Sequence, residues 1–141
     1  MEINEEDLSK RLLEIEYIRK ELENYINALN ALQMTQDTLS RSLLGLGNLK
    51  STDKEVLLPY SPDIFLRGTI SDANSAVVNI GSNIFKTMHI SDLRSKLEKD
   101  LGEVQTNIEQ IARIIQQLQE QGSKLEQEAN KMYEDYQTSL K

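Results

Sequence analysis

Apolar residues recur every three or four positions along the first third of the chain and again along the last third. This alternating spacing is the seam of a coiled coil, in which a helix buries its apolar stripe against another helix. Ten of twelve seam positions are apolar in the first stretch and twelve of fifteen in the last, which predicts helices over 5–46 and 91–140. The first seam is Leu8, Arg11, Ile15, Ile18, Leu22, Tyr25, Leu29, Leu32, Gln36, Leu39, Leu43 and Leu46. The second is Ile90, Arg94, Leu97, Leu101, Val104, Ile108, Ile111, Ile115, Leu118, Gly122, Leu125, Ala129, Met132, Tyr136 and Ser139.

Neither helix buries its seam alone, and the nearest partner for each is the other helix, running antiparallel. Arg11 and Arg94 occupy seam positions, where we expect them to extend toward solvent or to fix the register. Gly122 and Ala129 have little bulk, so the second seam predicts looser packing toward the chain termini.

The centre of the chain shows a different pattern. Short apolar runs over 55–60, 64–70, 76–80 and 84–88 are separated by Ser-Pro-Asp and Gly-Ser-Asn, which are turn sequences. They predict two β-hairpins between the helices. Isolated hairpins are marginal in water and exposed apolar strands aggregate, so we expect these strands to join strands of another subunit. The residues expected in that assembly are Val56, Leu58, Phe65, Ile70, Val78, Ile80, Ile84 and Phe85.

Glycine, proline and charge divide the chain in the same way. Residues 1–44 have no glycine or proline, whereas 45–81 hold four of the six glycines and both prolines. The centre is neutral, and the two flanking stretches are acidic. The fold class is therefore α+β and mainly helical: a long antiparallel two-helix coiled coil with two central hairpins.

The amino-acid content removes several kinds of chemistry. The chain has no Cys and a single His, His89, which excludes thiolate or histidine zinc sites, disulfides and thiol nucleophiles. No glycine-rich phosphate loop is present, and the acidic side chains lie on heptad faces rather than converging in a pocket. We therefore expect no enzyme activity, no metal and no cofactor.

Charge and hydropathy bear on partners and location. The net charge of −7 disfavours binding to nucleic acid or to an anionic membrane. No apolar run is long enough to cross a membrane, and the acidic start is unlike a secretory signal. We expect a cytoplasmic protein.

Three central stretches resemble the alpha-class subunits of prefoldin. They are 55–59 (EVLLP), 65–70 (FLRGTI) and 77–81 (VVNIG), and the second hairpin favours the alpha class over the beta class. The resemblance implies one prefoldin-like domain over 1–141, with assembly hairpins over 54–89 between the two helices.

The same resemblance implies an assembly and an activity. Two alpha and four beta subunits would form a hexamer in which the hairpins join inter-subunit β-barrels. The coiled-coil tips would hold unfolded polypeptides and deliver them to a group II chaperonin without ATP.

Both chain termini contribute to the expected tip, where several apolar residues lie outside the seam and are not needed for helix pairing. An equally weighted reading is that they are scattered surface residues. A structural adaptor that binds a defined helical partner is the alternative function, and it predicts continuous seams to both ends. A holding chaperone predicts off-seam apolar residues and loosened heptads. The candidate client-binding residues are Ile3, Leu8, Leu12, Leu13, Tyr17, Met132, Tyr133, Tyr136 and Leu140.

Overall fold

The computed structural model describes residues 5–49 and 55–140, and Ile3 lies outside this range. Along the chain, one helix precedes the four strands and the other follows them, as the hydrophobic pattern predicts. The described residues fall into two compact units: the terminal unit, within Met1–Met34 and Gln105–Lys141, and the central unit, within Thr35–Val104. The elements are α1 (Glu5–Gly47), β1 (Glu55–Ser61), β2 (Ile64–Thr69), β3 (Ser75–Asn79), β4 (Phe85–His89) and α2 (Ile90–Ser139).

The terminal unit is an antiparallel pair of helix segments. Its core consists of Ile15, Ile18, Leu125 and Ala129, with Leu8, Leu22 and Leu118 packed against it. Ion pairs join the same segments: Arg11 Nη2 lies 3.5 Å from Glu128 Oε2, and Arg19 Nη2 lies 2.9 Å from Glu126 Oε1. Seam positions from Leu8 to Leu32 in α1 are all at least half-buried. The helical seam is therefore where the heptad pattern predicts it.

Packing at Gly122 and Ala129 differs from the sequence expectation, which was wrong here. A Cβ placed on Gly122 would lie only 3.3 Å from Ile18 Cγ2. Ala129 and Ile18 are each only 5% exposed. Small side chains let the two helix backbones approach closely, so lack of bulk tightens this part of the seam instead of loosening it.

The start of α2 shows a second difference. Arg94 is exposed, as expected for an arginine at a seam position, but the buried side chain here is its neighbour Leu93, which lies outside the predicted seam. Leu93 and Leu97 are four residues apart and share a helix face, so the apolar side chain takes the buried position and the guanidinium faces water. Arg11, the other seam arginine, is half-buried and reaches across to Glu128.

The central unit contains two separate two-stranded antiparallel sheets. In the first, Val56 pairs with Gly68 and Leu58 with Leu66, and a bulge follows Pro59. In the second, Val77 pairs with Thr87 and Asn79 with Phe85. Within the described residues neither sheet pairs with the other, so each keeps edges with unpaired backbone groups.

A three-residue turn closes the second hairpin. Gly81, Ser82 and Asn83 all have positive φ, at 122°, 50° and 59°. Glycine tolerates such values without the clash that a Cβ causes. The Ile80 amide donates to the Ile84 carbonyl at 2.8 Å, and the Gly81 amide donates to Asn79 Oδ1 at 2.9 Å. These bonds fix the turn that the Gly-Ser-Asn sequence predicts.

Asp72 organises the link between the two hairpins. Its Oδ1 accepts a hydrogen bond from the Asn74 amide and its Oδ2 accepts one from the Ser75 hydroxyl, both at 2.8 Å. The Asn74 carbonyl in turn accepts from the Ile90 amide at 2.8 Å, at the first residue of α2. Hydrogen bonds from the Asn74 amide and the Ser75 hydroxyl lower the pKa of Asp72, with a lesser contribution from the charge of His89, whereas desolvation opposes the shift.

Candidate functional site

The end of the terminal unit carries apolar side chains that the seam does not use. Leu13, Tyr17 and Leu140 are 65%, 66% and 70% exposed, and Leu12 and Tyr133 are also more than half exposed. Leu13 and Tyr17 are one helical turn apart and therefore lie side by side. These five off-seam residues, Leu12, Leu13, Tyr17, Tyr133 and Leu140, are called the tip surface below.

An open groove of about 660 Å³ runs along one side of the tip surface. Leu12, Ile15 and Ala129 supply its apolar lining. Its polar lining includes Arg19 and Glu126, whose ion pair joins the two helices. The remaining lining residues are Glu16 and Asn130. The groove can therefore take an apolar side chain with a polar group beside it.

Two further shallow grooves flank the same end. One of about 340 Å³ is lined by Asp7, Lys10, Arg11, Glu14 and Met132. The other, of about 500 Å³, is lined by Glu134, Gln137, Thr138 and Leu140. Beside the latter, Gln137 Nε2 donates to the Tyr133 hydroxyl oxygen at 2.8 Å, which orients the ring. All three grooves are open to solvent and bordered by carboxylates.

The candidate client-binding residues divide into two groups. Leu8, Met132 and Tyr136 are half-buried on the seam, so they support helix pairing and offer little free surface. The tip-surface residues are exposed. The seam itself stays covered at Leu8, Met132 and Tyr136, which is the continuity that the adaptor hypothesis predicts. The off-seam exposure is what a holding chaperone predicts, whereas the loosened heptads it also predicts are not found at Gly122 and Ala129.

The hairpins form a second exposed apolar surface. Of the residues expected in assembly, Val56, Ile70 and Val78 are half-buried within the central unit. The exposed members are Leu58, Phe65, Ile80, Ile84 and Phe85. Sequence reasoning missed other exposed apolar side chains: Leu57, Tyr60, Ile64, Leu66 and Val77. Their signal was present, because consecutive apolar residues in a strand place apolar side chains on both faces.

Neither a metal site nor a membrane span emerges from the part of the chain that the structure describes. Residues 5–49 and 55–140 contain no group of three or more His, Asp or Glu side chains placed to hold a metal ion. Within the same residues, neither helix is apolar enough over sufficient length to cross a bilayer.

Comparison with known proteins shows which family has this architecture. A family model described as "Prefoldin subunit" matches residues 8–135. The chain belongs to the prefoldin family. The family is one of chaperones and not of enzymes, so a role as a chaperone subunit follows.

Two archaeal prefoldin relatives extend the match. Prefoldin subunit alpha of Pyrococcus horikoshii is 26% identical over 137 residues, which cover 85% of this chain and 93% of the relative. Prefoldin subunit alpha 1 of Methanocaldococcus jannaschii is 24% identical over 101 residues, or 72% of this chain and 70% of the relative. Both relatives are alpha subunits, which supports the alpha-class resemblance seen in the central stretches.

A solved structure shows the same fold. A chain in the cryo-EM structure of filamentous PFD from Methanocaldococcus jannaschii superposes with a TM-score of 0.69 at 21% sequence identity. The match covers 81% of this chain and 96% of that one. The predicted fold of two long helices with two antiparallel hairpins is therefore confirmed.

Proposed function

We propose that this prefoldin chain holds unfolded polypeptides at its tip surface and delivers them to a group II chaperonin without ATP. The observation that supports the proposal is the exposure of five off-seam apolar residues beside a tightly packed seam. Helix pairing does not use these side chains, so their apolar area is free to cover a bound chain. Exposed apolar groups that cluster are typical of binding surfaces.

Binding of this kind is weak at each contact. Burying one large apolar side chain contributes about 1.5–3 kcal/mol, and ordering the bound chain offsets part of it. Several tips that hold one client at once would raise the overall affinity without new contacts. Weak, repeated apolar contacts suit clients that share no sequence.

The assembly proposed is a cytoplasmic hexamer of two alpha and four beta subunits. The unpaired strand edges and the exposed hairpin side chains support it, because both need a partner for burial. In this proposal the four strands complete inter-subunit β-barrels with beta-class partners, and the second hairpin pairs the two alpha subunits.

The test replaces tip-surface residues without disturbing the seam. In the complex with the beta-class partner, Leu13→Gln combined with Tyr17→Gln is expected to weaken protection of a denatured protein from aggregation. About tenfold more complex would be needed for equal light scattering, the equivalent of roughly 1.4 kcal/mol of lost binding. Both residues are exposed, so helix content and assembly should stay unchanged.

Leu44→Gln is the matched control, since Leu44 is a 69% exposed apolar residue of α1 outside the tip surface. It should protect as well as the unaltered chain. Equal protection by the double variant and the control would reject the tip as the client site.

The adaptor remains the second candidate because the seam is continuous to Leu8 and Met132. An adaptor would bind one folded helical partner at fixed stoichiometry and would not protect denatured proteins. The same light-scattering assay separates the two functions, since only the holding chaperone loses protection in the double variant.

A further inference from the structure

The tip surface lies among acidic residues. The segments 5–17 and 126–140 contain nine acidic and three basic residues, a net charge of −6, whereas the whole chain carries −7. Almost all of the net negative charge of the protein therefore lies at the end that carries the exposed leucines and tyrosines.

Two of the three basic residues at this end, Lys10 and Arg11, are engaged in ion pairs, whereas none is found for Lys131 among the described residues. Lys10 Nζ lies 3.3 Å from Glu6 Oε1. Arg11 pairs with Glu14 at 3.1 Å and with Glu128 at 3.5 Å, and nearby Arg19 pairs with Glu126 at 2.9 Å. Among the residues the structure describes, the following tip carboxylates have no ion pair: Glu5, Asp7, Glu16, Glu134 and Asp135.

Two of these carboxylates line grooves that also contain apolar side chains. Glu16 lines the groove that contains Leu12, Ile15 and Ala129. Glu134 lines the groove that contains Leu140. If a Lys or Arg of a bound segment contacted either carboxylate, the neighbouring apolar side chains of that segment would lie against the apolar residues of the groove.

We propose that the tip surface selects unfolded segments in which apolar side chains alternate with Lys or Arg, over equally apolar acidic segments. The inference rests on the proposed client-holding function and adds the class of client. Complementary charge speeds encounter and favours the matching partner, while like charges reject the other. Lysine and arginine also carry long aliphatic stems, which can cover apolar surface while the charged end reaches Glu16 or Glu134.

The test uses two unstructured fluorescent peptides of equal length with identical Leu and Phe positions. One carries Lys and the other Glu at every intervening position. Fluorescence anisotropy with the assembled complex should show about tenfold tighter binding of the Lys peptide at low salt. The difference should shrink in about 0.5 M salt, where exposed charges are screened. Equal affinities at low salt would overturn the proposal.

Substitution assigns the preference to this chain within the complex. Glu16→Gln with Glu134→Gln should reduce the ratio of the two affinities, because both lost charges border the grooves. Glu98→Gln with Glu103→Gln removes two exposed carboxylates of α2 outside the tip surface and should leave the ratio unchanged. A ratio that the tip pair does not alter, or that both pairs alter equally, would overturn the proposal.

Two further outcomes keep the hypotheses apart. The Glu→Gln tip variant should still protect a denatured protein that has few acidic residues, so loss of charge selection leaves the holding function in place. Loss of protection on Leu13→Gln with Tyr17→Gln tests the holding function alone. A folded basic protein should displace the fluorescent Lys peptide less well than unlabelled Lys peptide does. If the two competitors were equally effective, the surface would recognise charge only and the proposed client class would be wrong.

Discussion

Gly122 sits at a close approach of the two helices of the terminal unit, against Ile18. A glycine inside a helix costs about 0.5–1 kcal/mol relative to alanine. The close approach offsets that cost by letting Ile15, Ile18, Leu125 and Ala129 exclude water together. Gly122 therefore destabilises its own helix but stabilises the packing of the two helices against each other.

Gly122→Leu tests this close approach. We expect a loss of about 1–3 kcal/mol in the free energy of unfolding, because the new side chain meets Ile18 in a packed seam. Gly102→Leu is the control, since a Cβ at Gly102 meets nothing within 4 Å and the residue is exposed. It should gain about 0.5–1 kcal/mol from helix propensity. Chemical denaturation followed by circular dichroism measures both, and equal effects would contradict close packing at Gly122.

Asp72 is the residue whose titration reports on the hairpin link. Its pKa is lowered by hydrogen bonds from Asn74 and Ser75, so the folded state binds a proton less readily than the unfolded state. At pH values above the ordinary pKa of an aspartate, the ionised Asp72 therefore stabilises the folded link. This stabilisation is lost as the pH falls through the lowered pKa of Asp72. Carboxyl NMR titration should show the lowered pKa, and Ser75→Ala should move it back toward the ordinary value. A pKa at or above that of a free aspartate would contradict the observed hydrogen bonds.

The individual helices and strands follow directly from sequence periodicity. Heptad spacing located α1 and α2, and turn residues such as Pro62 and Gly81 separated the strands. Periodicity could not locate the tight contact at Gly122, because bulk alone does not report the distance between helix axes. It also missed the burial of Leu93 beside the exposed Arg94, since a heptad allows the buried position to shift by one residue where a helix begins. The cross-helix pair of Arg19 and Glu126 lies outside the seam and needs the helix register to be known.

The second hairpin offers an assembly prediction. Phe85 and Thr87 share one face of β4, and Phe85 is 62% exposed. Phe85→Ser should weaken subunit assembly by about tenfold or more, because a large apolar side chain loses its burial in the partner. Thr87→Ser on the same face should have little effect.

Size-exclusion chromatography with light scattering measures the assembled mass across a dilution series, and circular dichroism verifies helix content. If the Phe85→Ser variant assembled at the same protein concentrations as the unaltered chain, this face would have no role in subunit contacts.

At the scale of the whole molecule, apolar surface has two uses. The seam buries it within the chain, whereas the hairpins and the tip surface leave it exposed. The alternation of apolar and polar residues located both exposed regions in the sequence. It could not identify what covers them, because exposure depends on partners that a single chain does not specify.

Site-specific photo-crosslinking tests the central claim most directly. A photoreactive amino acid at Leu13 or Tyr133, in the assembled complex, should crosslink to a denatured client, whereas the same group at exposed Leu44 should not. Crosslinking from Leu44 with none from Leu13 or Tyr133 would contradict the account that the tip surface holds unfolded chains.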